Sequence, residues 1–232
     1  MIFGDLLHIS HIENNWLLIK TLHDNYEGWV DIKQIRIINH DKFYELKNNQ
    51  SVYLTGICGK ATSESGKIIN LVSGSRLHNY KNNSTEISHV RYVVTGEVQS
   101  NISERKAENI VRICMGYLGA PYLWGGRSPY GIDCSGFTQI VFKIDGIDIG
   151  RDAYLQSELG ETISFINEIK IGDLAFFDNE EENITHVGII LDNNHIIHAS
   201  GEVRIDNIDH HGIYNEELKK YTHKLRIIKR II

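Results

Sequence analysis

The sequence has no run of eighteen apolar residues, so no transmembrane helix is expected. It has no basic cluster and a formal net charge of -6, which argues against nucleic acid as a partner. Its first residues, Met1-Ile2-Phe3-Gly4-Asp5, lack the basic start and apolar stretch of a signal peptide. A cytoplasmic protein is therefore expected, with a periplasmic or secreted one as the alternative if a leader is missing. Cysteines are few: Cys58, Cys114 and Cys134 are far apart, odd in number and form no CxxC pair. That excludes a disulfide framework and a zinc ribbon. What remains is ordinary for a soluble globular protein: 41% hydrophobic and 23% charged residues. Its 232 residues suffice for one large domain or two or three small ones.

Residues 1–99 read as β-rich. Leu6-Leu7-His8-Ile9, Trp16 to Lys20 and Trp29-Val30-Asp31 are short strands between the turn clusters Glu13-Asn14-Asn15 and His23-Asp24-Asn25. The phrase Tyr26-Glu27-Gly28-Trp29-Val30 resembles the closing strands of bacterial SH3-like domains. A second β unit has strands at Val52 to Leu54, Ile68 to Val72, Ser75 to Leu77 and Val90 to Val94, with Gly59 to Gly66 and Asn79 to Ser84 as loops. The domains expected are a small barrel over 1–45, a second over 46–99, and a third domain over 100–232. A single split β domain is the alternative for the first two.

The character changes near Ser100. Ser103 suits a helix N-cap, and Ala107, Ile110, Val111, Cys114 and Leu118 follow helical spacing, which makes Cys114 a core residue. The stretch Pro121 to Phe142 then carries the chemistry. Gly125, Gly126 and Gly131 approach Asp133-Cys134-Ser135-Gly136, and Phe137, Ile140, Val141 and Ile144 form one face of a helix behind the cysteine. Cys134 thus falls at a helix N-terminus, where the dipole favours negative charge and a thiol can have its pKa lowered. Asp133 suits the N-cap of that helix. Asp152 to Gln156 reads as a short helix or loop. Leu174 to Phe177, Val187 to Leu191, Ile196 to Ala199 and Lys224 to Ile232 read as strands. Helices followed by a run of strands argue an α+β fold with an antiparallel sheet.

A cysteine nucleophile needs a base and a group to orient that base. Of twelve histidines, His186 and His198 stand in strand-like apolar runs on either side of Asp192-Asn193-Asn194. A two-residue turn would put them on opposite faces of the sheet. A three-residue loop pairs 191 with 195 and 188 with 198, which makes the two histidines diagonal neighbours on one face. That register is the expectation. The other ten histidines, His78 and His223 among them, read as surface residues. A Cys/His/His metal site is the rival use of these residue types. With no second cysteine or carboxylate motif nearby it is the poorer choice, and neither metal nor cofactor is expected.

Residues 103 to about 205 resemble the NlpC family of papain-like bacterial cell-wall peptidases. The matching phrases are Tyr122-Leu123-Trp124-Gly125-Gly126, Asp133-Cys134-Ser135-Gly136-Phe137, Gly172-Asp173-Leu174, His186-Val187-Gly188-Ile189 and His198-Ala199. The resemblance implies Cys134 as nucleophile, His186 as base, His198 as the residue that orients it, and Tyr122 near the oxyanion. With its β-rich N-terminal part, the chain is similar to γ-D-glutamyl-L-diamino acid endopeptidases. Those enzymes cut peptidoglycan stem peptides of the type L-Ala-γ-D-Glu-diaminopimelate or lysine. In them SH3-like domains narrow the cleft, and acidic and tyrosyl groups hold the free amine of L-Ala. Asp133 matches one such acid, Glu27 and Tyr26 are the SH3-side candidates, and Arg151 to Gln156 matches a recurring cleft segment, which makes Asp152 and Ser135 expected substrate contacts as well. A papain-like acyltransferase and a wall-binding module with an inactive catalytic domain are the rival functions.

Overall fold

Short apolar runs between turn residues form strands throughout. The computed structural model describes residues 1–50, 52–99 and 107–231, and the expected N-cap at Ser103 lies outside them. The chain divides into two units, Met1–Ser103 and Glu104–Ile232.

In the first unit β1 (Leu7–Glu13), β2 (Trp16–Thr21) and β3 (Glu27–Asp31) form an antiparallel sheet. Asn14 and Asn25 turn the chain with φ of 53 and 56, conformations asparagine tolerates. Leu17 and Ile19 alternate inward on β2. Helix α1 (His40–Asn48) was not legible, because only Phe43 and Leu46 of its nine residues are buried. Asn39 caps it, accepting from the Lys42 amide at 2.9 Å.

Seven strands follow: β4 (Val52–Leu54), β5 (Cys58–Ser63), β6 (Ile68–Val72), β7 (Arg76–Leu77), β8 (Ser84–Ile87), β9 (Val90–Thr95) and β10 (Val98–Gln99). They make two sheets, ordered β6-β5-β9-β8 and β10-β4-β7, around Leu54, Ala61, Leu71, Leu77, Tyr92 and Val94. The segment expected as a loop from Gly59 contains most of β5. His78 is not a surface residue: it is buried, and its Nε2 lies 2.7 Å from the Gly4 carbonyl oxygen.

The second unit is α+β, with a predominantly antiparallel sheet. Its elements are α2 (Ala107–Gly116), β11 (Arg127–Ser128), β12 (Gly131–Ile132), α3 (Cys134–Ile144), α4 (Ala153–Ser157), β13 (Glu161–Ile163), β14 (Leu174–Asp178), β15 (Ile184–Ile190), β16 (His195–Ser200), β17 (Glu202–Asp209), β18 (Gly212–Asn215) and β19 (Lys220–Arg230). Strands β14 to β19 pair in sequence order, and β19 also pairs with β14, so the sheet closes on itself. Closure removes the open edges that strands otherwise expose. Long β19 makes this possible, with β18 beside its first half and β13 beside its last residues. Ala175, Phe177, Ile190, Ile196, Ile208, Ile213 and Ile228 fill one face of this sheet. Every residue of α3 is buried, and the helix packs on β15 and β16.

The β15–β16 register is the one that parity requires. Gly188 pairs with His198 and Ile190 with Ile196, and the Leu191 amide donates to the His195 carbonyl at 2.9 Å. Gly188 permits the close pairing: a Cβ there would lie 2.7 Å from Ile196 Cδ1 and 2.9 Å from His198 Cβ. His186 therefore shares a strand face with Ile190, and His198 shares one with Ile196.

Candidate active site

Asp133 sets the position of Cys134. Its Oδ1 accepts from the Gly136 amide at 2.7 Å, capping α3, and its Oδ2 accepts from the Gly125 amide at 2.8 Å. Arg151 completes the pin with bonds of 3.0 and 2.6 Å to the two oxygens. Arg151 also donates to Ser135 Oγ at 2.9 Å. Both Asp133 oxygens and the Ser135 hydroxyl are thus engaged inside the protein. A substrate ammonium at Asp133 or Ser135 would share these groups with the Arg151 guanidinium. Asp152 is half-buried at the start of α4, where its side chain makes no capping bond. Tyr26 and Glu27 lie in the first unit, both exposed, with Glu27 3.5 Å from Lys20 Nζ.

Cys134 is buried, and backbone hydrogen bonds at Val187 and at Ser135 reach its sulfur, which places the thiol against β15 beside His186. The thiol is not acidic. Burial, then the Asp133 carboxylate, push it up to about 11, and the backbone bonds offset only part of that. The helix N-terminus alone would lower it, but desolvation of the charged form is the larger effect. Tyr122 is half-buried, and its phenol is pushed up by burial and then by the nearby Cys134 and Asp133.

His186 and His198 meet as the register demands, with His186 Nε2 2.8 Å from His198 Nδ1. A fourth residue, which sequence reasoning missed, completes the chain. Asp206 on β17 lies 3.0 Å from His198 Nε2 and takes two further bonds from Arg204, at 2.7 and 2.9 Å. Hydrogen bonds from His198 and Arg204 hold its carboxyl below the usual range against the opposing effect of burial, so it accepts at neutral pH. The proton positions then follow in order. Asp206 accepts, so His198 carries its proton on Nε2. Neutral His198 accepts at Nδ1, so His186 carries its proton on Nε2. The bare nitrogen of His186 is Nδ1, the one left for the thiol.

A third histidine closes over the pair. His223 on β19 stacks on His186 with centroids 4.1 Å apart and planes 25° from parallel. It was expected on the surface. Instead, burial and the neighbouring His198 push it down to about 4. Burial, then His198 and His223, also hold His186 well below the ordinary histidine range. An unfolded chain protonates these rings near 6.5, so between about 4 and 6.5 it binds more protons than the folded one. Stability is full above that window and falls as pH drops through it. Thermal unfolding should show a flat Tm above pH 6.5 and a decline towards pH 4. A Tm unchanged down to pH 5 would show that the rings charge as easily folded as unfolded. The Asp206 carboxylate adds a separate loss below about pH 4, as it protonates.

A cysteine on a buried helix facing a histidine pair on an antiparallel sheet is the arrangement of a papain-like cysteine peptidase. Residues 119–224 match the NlpC/P60 family. The chain is 29% identical to dipeptidyl-peptidase 6 of Lysinibacillus sphaericus, over 90% of this chain and 83% of that one. It is 41% identical to the γ-D-glutamyl-L-lysine dipeptidyl-peptidase of Bacillus subtilis, over 42% of this chain and 34% of that protein, so about a third of that relative's length is matched. An NlpC/P60 family protein from Bacillus cereus shares the fold over 100% of this chain and 81% of its own, with a TM-score of 0.83 and 21% identity. The second unit belongs to the NlpC/P60 family, and the protein is a cysteine peptidase.

The cytoplasmic expectation does not stand. The relatives include the NlpC/p60 domain of the peptidoglycan hydrolase SagA, 36% identical over 44% of this chain and 90% of that one, with a TM-score of 0.41. That expectation rested on the first residues, and the point where this sequence begins says nothing about a leader. Among the described residues no helix is long and apolar enough to cross a membrane.

Proposed function

We propose that this protein hydrolyses the γ-D-Glu–diamino acid bond of peptidoglycan stem peptides and releases L-Ala-γ-D-Glu. The observation that carries the chemistry is the His186, His198, Asp206 hydrogen-bond chain, with the Cys134 thiol against the neighbouring Val187 backbone, which leaves His186 Nδ1 as the base. The substrate class rests on the names of the two dipeptidyl-peptidase relatives. The third residue is diaminopimelate or lysine.

Because the thiol is held at about 11 and His186 well below its usual range, the resting pair is neutral, not an ion pair. His186 Nδ1 takes the proton as sulfur attacks the γ-carbonyl. The cation that forms is stabilised through His198 by Asp206. Backbone N–H groups at the start of α3 and the Tyr122 hydroxyl hold the oxyanion. His186 then protonates the leaving amine, and water releases the acyl group. Our reading of the first unit is two SH3-like modules, 1–45 and 46–99, which its three small sheets support.

A second reading is a papain-like acyltransferase, favoured by the burial of Cys134, only 7% exposed, which restricts water. Both share the acyl-enzyme. The test is incubation with L-Ala-γ-D-Glu-diaminopimelate and its N-acetylated form, with and without an added amine, followed by mass spectrometry. Release of free L-Ala-γ-D-Glu from the free peptide is the expected result. An amine adduct in its place would establish the transferase. Cleavage of both peptides at equal rates would remove the requirement for a free N-terminus. Alkylation of Cys134 that leaves all function untouched would establish a wall-binding module.

A further inference from the structure

Three imidazoles meet at the site, and the peptidase reaction uses two. One ring nitrogen from each of His186, His198 and His223 lies within 4.8 Å of the other two. His186 Nε2 and His198 Nδ1 are already 2.8 Å apart. The Thr222 hydroxyl donates to the Ile213 carbonyl at 3.4 Å and so accepts from His223 Nδ1–H at 2.9 Å. The lone pair of His223 is therefore on Nε2. We propose that His186, His198 and His223 form a site for a zinc-class dication, and that filling it switches the peptidase off.

Three neutral imidazoles are a donor set that zinc and its neighbours favour, with a fourth position left open. Asp206 on the far nitrogen of His198 supplies the carboxylate that commonly orients a ligating histidine. The nitrogens must adjust, since tetrahedral ligands at about 2.1 Å from zinc sit about 3.4 Å apart: the 2.8 Å His186–His198 pair opens slightly and the His223 nitrogen draws in. His223 is the ring that moves: it is only half-buried, and its stacked plane must tilt to aim Nε2 at the ion.

The proton balance explains the switch. His186 gives up its Nε2 proton to face the metal, and its own Nδ1 takes a proton from solvent. The ring stays neutral and no net proton is released. Nδ1, the nitrogen that would deprotonate Cys134, is now blocked. No electron is transferred.

The rival is the zinc binding of any reactive thiol, held by Cys134 with His186. The full chain carrying Cys134→Ala separates the two, because it cannot bind zinc through sulfur and needs no activity for the readout. Isothermal titration with zinc chloride should give one ion per chain in this variant, with no net proton release when buffers of different ionisation enthalpy are compared. Adding His223→Phe or His223→Gln should weaken binding at least tenfold, with folding checked by circular dichroism. In the active enzyme, inhibition by zinc should be reversed by a chelator and should need at least tenfold more zinc in His223→Gln. Loss of zinc binding in Cys134→Ala, or equal affinity with and without His223, overturns the proposal. Since the binding arm uses no substrate, its outcome is independent of which bond the enzyme cuts.

Discussion

His186→Ala lowers kcat/KM at pH 7 by about 10⁴, and its residual activity then rises tenfold with each pH unit. The reason is the thiol held at about 11. At pH 7 a thiol of that acidity is ionised in about one molecule in 10⁴. The native enzyme does not depend on that fraction, since His186 Nδ1 removes the proton during attack. Without the imidazole only thiolate formed beforehand reacts, so the rate tracks its population up to about pH 11. The loss corresponds to about 5.5 kcal/mol of transition-state stabilisation. The native enzyme behaves differently. Its base is neutral well below 6.5, so its rate is flat through neutral pH and falls only on the acid side. The measurement is kcat/KM from pH 5 to 10 for both proteins, with circular dichroism to show that the variant folds. A loss below tenfold, or a variant whose rate ignores pH, would remove His186 as the base.

Parts of this site were legible from residues alone because their geometry is local arithmetic. Cys134 at a helix start follows from the apolar spacing behind it. His186 and His198 on one face follow from a period of two and a three-residue loop. Asp206 and His223 were not legible. Asp206 reaches the site only because β17 pairs with β16, and His223 only because β19 closes the sheet against β14. Both placements depend on long-range pairing that no local pattern encodes. One signal was present: Asp206 stands two residues from Arg204 on one face of a strand, an opposite-charge neighbour for a carboxylate that would be costly to bury without a partner. The acidity of Cys134 was misjudged for a related reason. Helix position can be read from sequence, but the burial that outweighs it depends on the whole fold. In the first unit β5 was hidden by its glycine and α1 by its polar surface, since each has few buried side chains.

Asp206→Asn is expected to lower kcat by about 10² while changing KM little. The substitution keeps size and shape, so what changes is the proton chain. Both Asp206 oxygens now accept from Arg204, and Oδ2 also accepts from His198 Nε2. An amide can offer only one oxygen to these donors. With its NH₂ towards His198, the ring must accept at Nε2 and carry its proton on Nδ1. His186 must then accept at Nε2 and hold its own proton on Nδ1, which leaves Cys134 facing a donor. With its oxygen towards His198, the NH₂ meets Arg204, and that partly exposed side chain turns out towards Glu217, 3.4 Å away. The tautomer is no longer fixed, and the negative charge that stabilised the imidazolium is gone. A direct aspartate–histidine pair of this kind loses about 10⁴ on the same change, and one intervening ring reduces the effect. Arg204→Ala, which leaves the carboxylate in place, should cost about tenfold or less. Nitrogen-15 shifts of the His186 and His198 rings would report the tautomers directly. If Asp206→Asn retains native kcat and native ring shifts, the carboxylate is a structural partner of Arg204, and His198 alone orients the base.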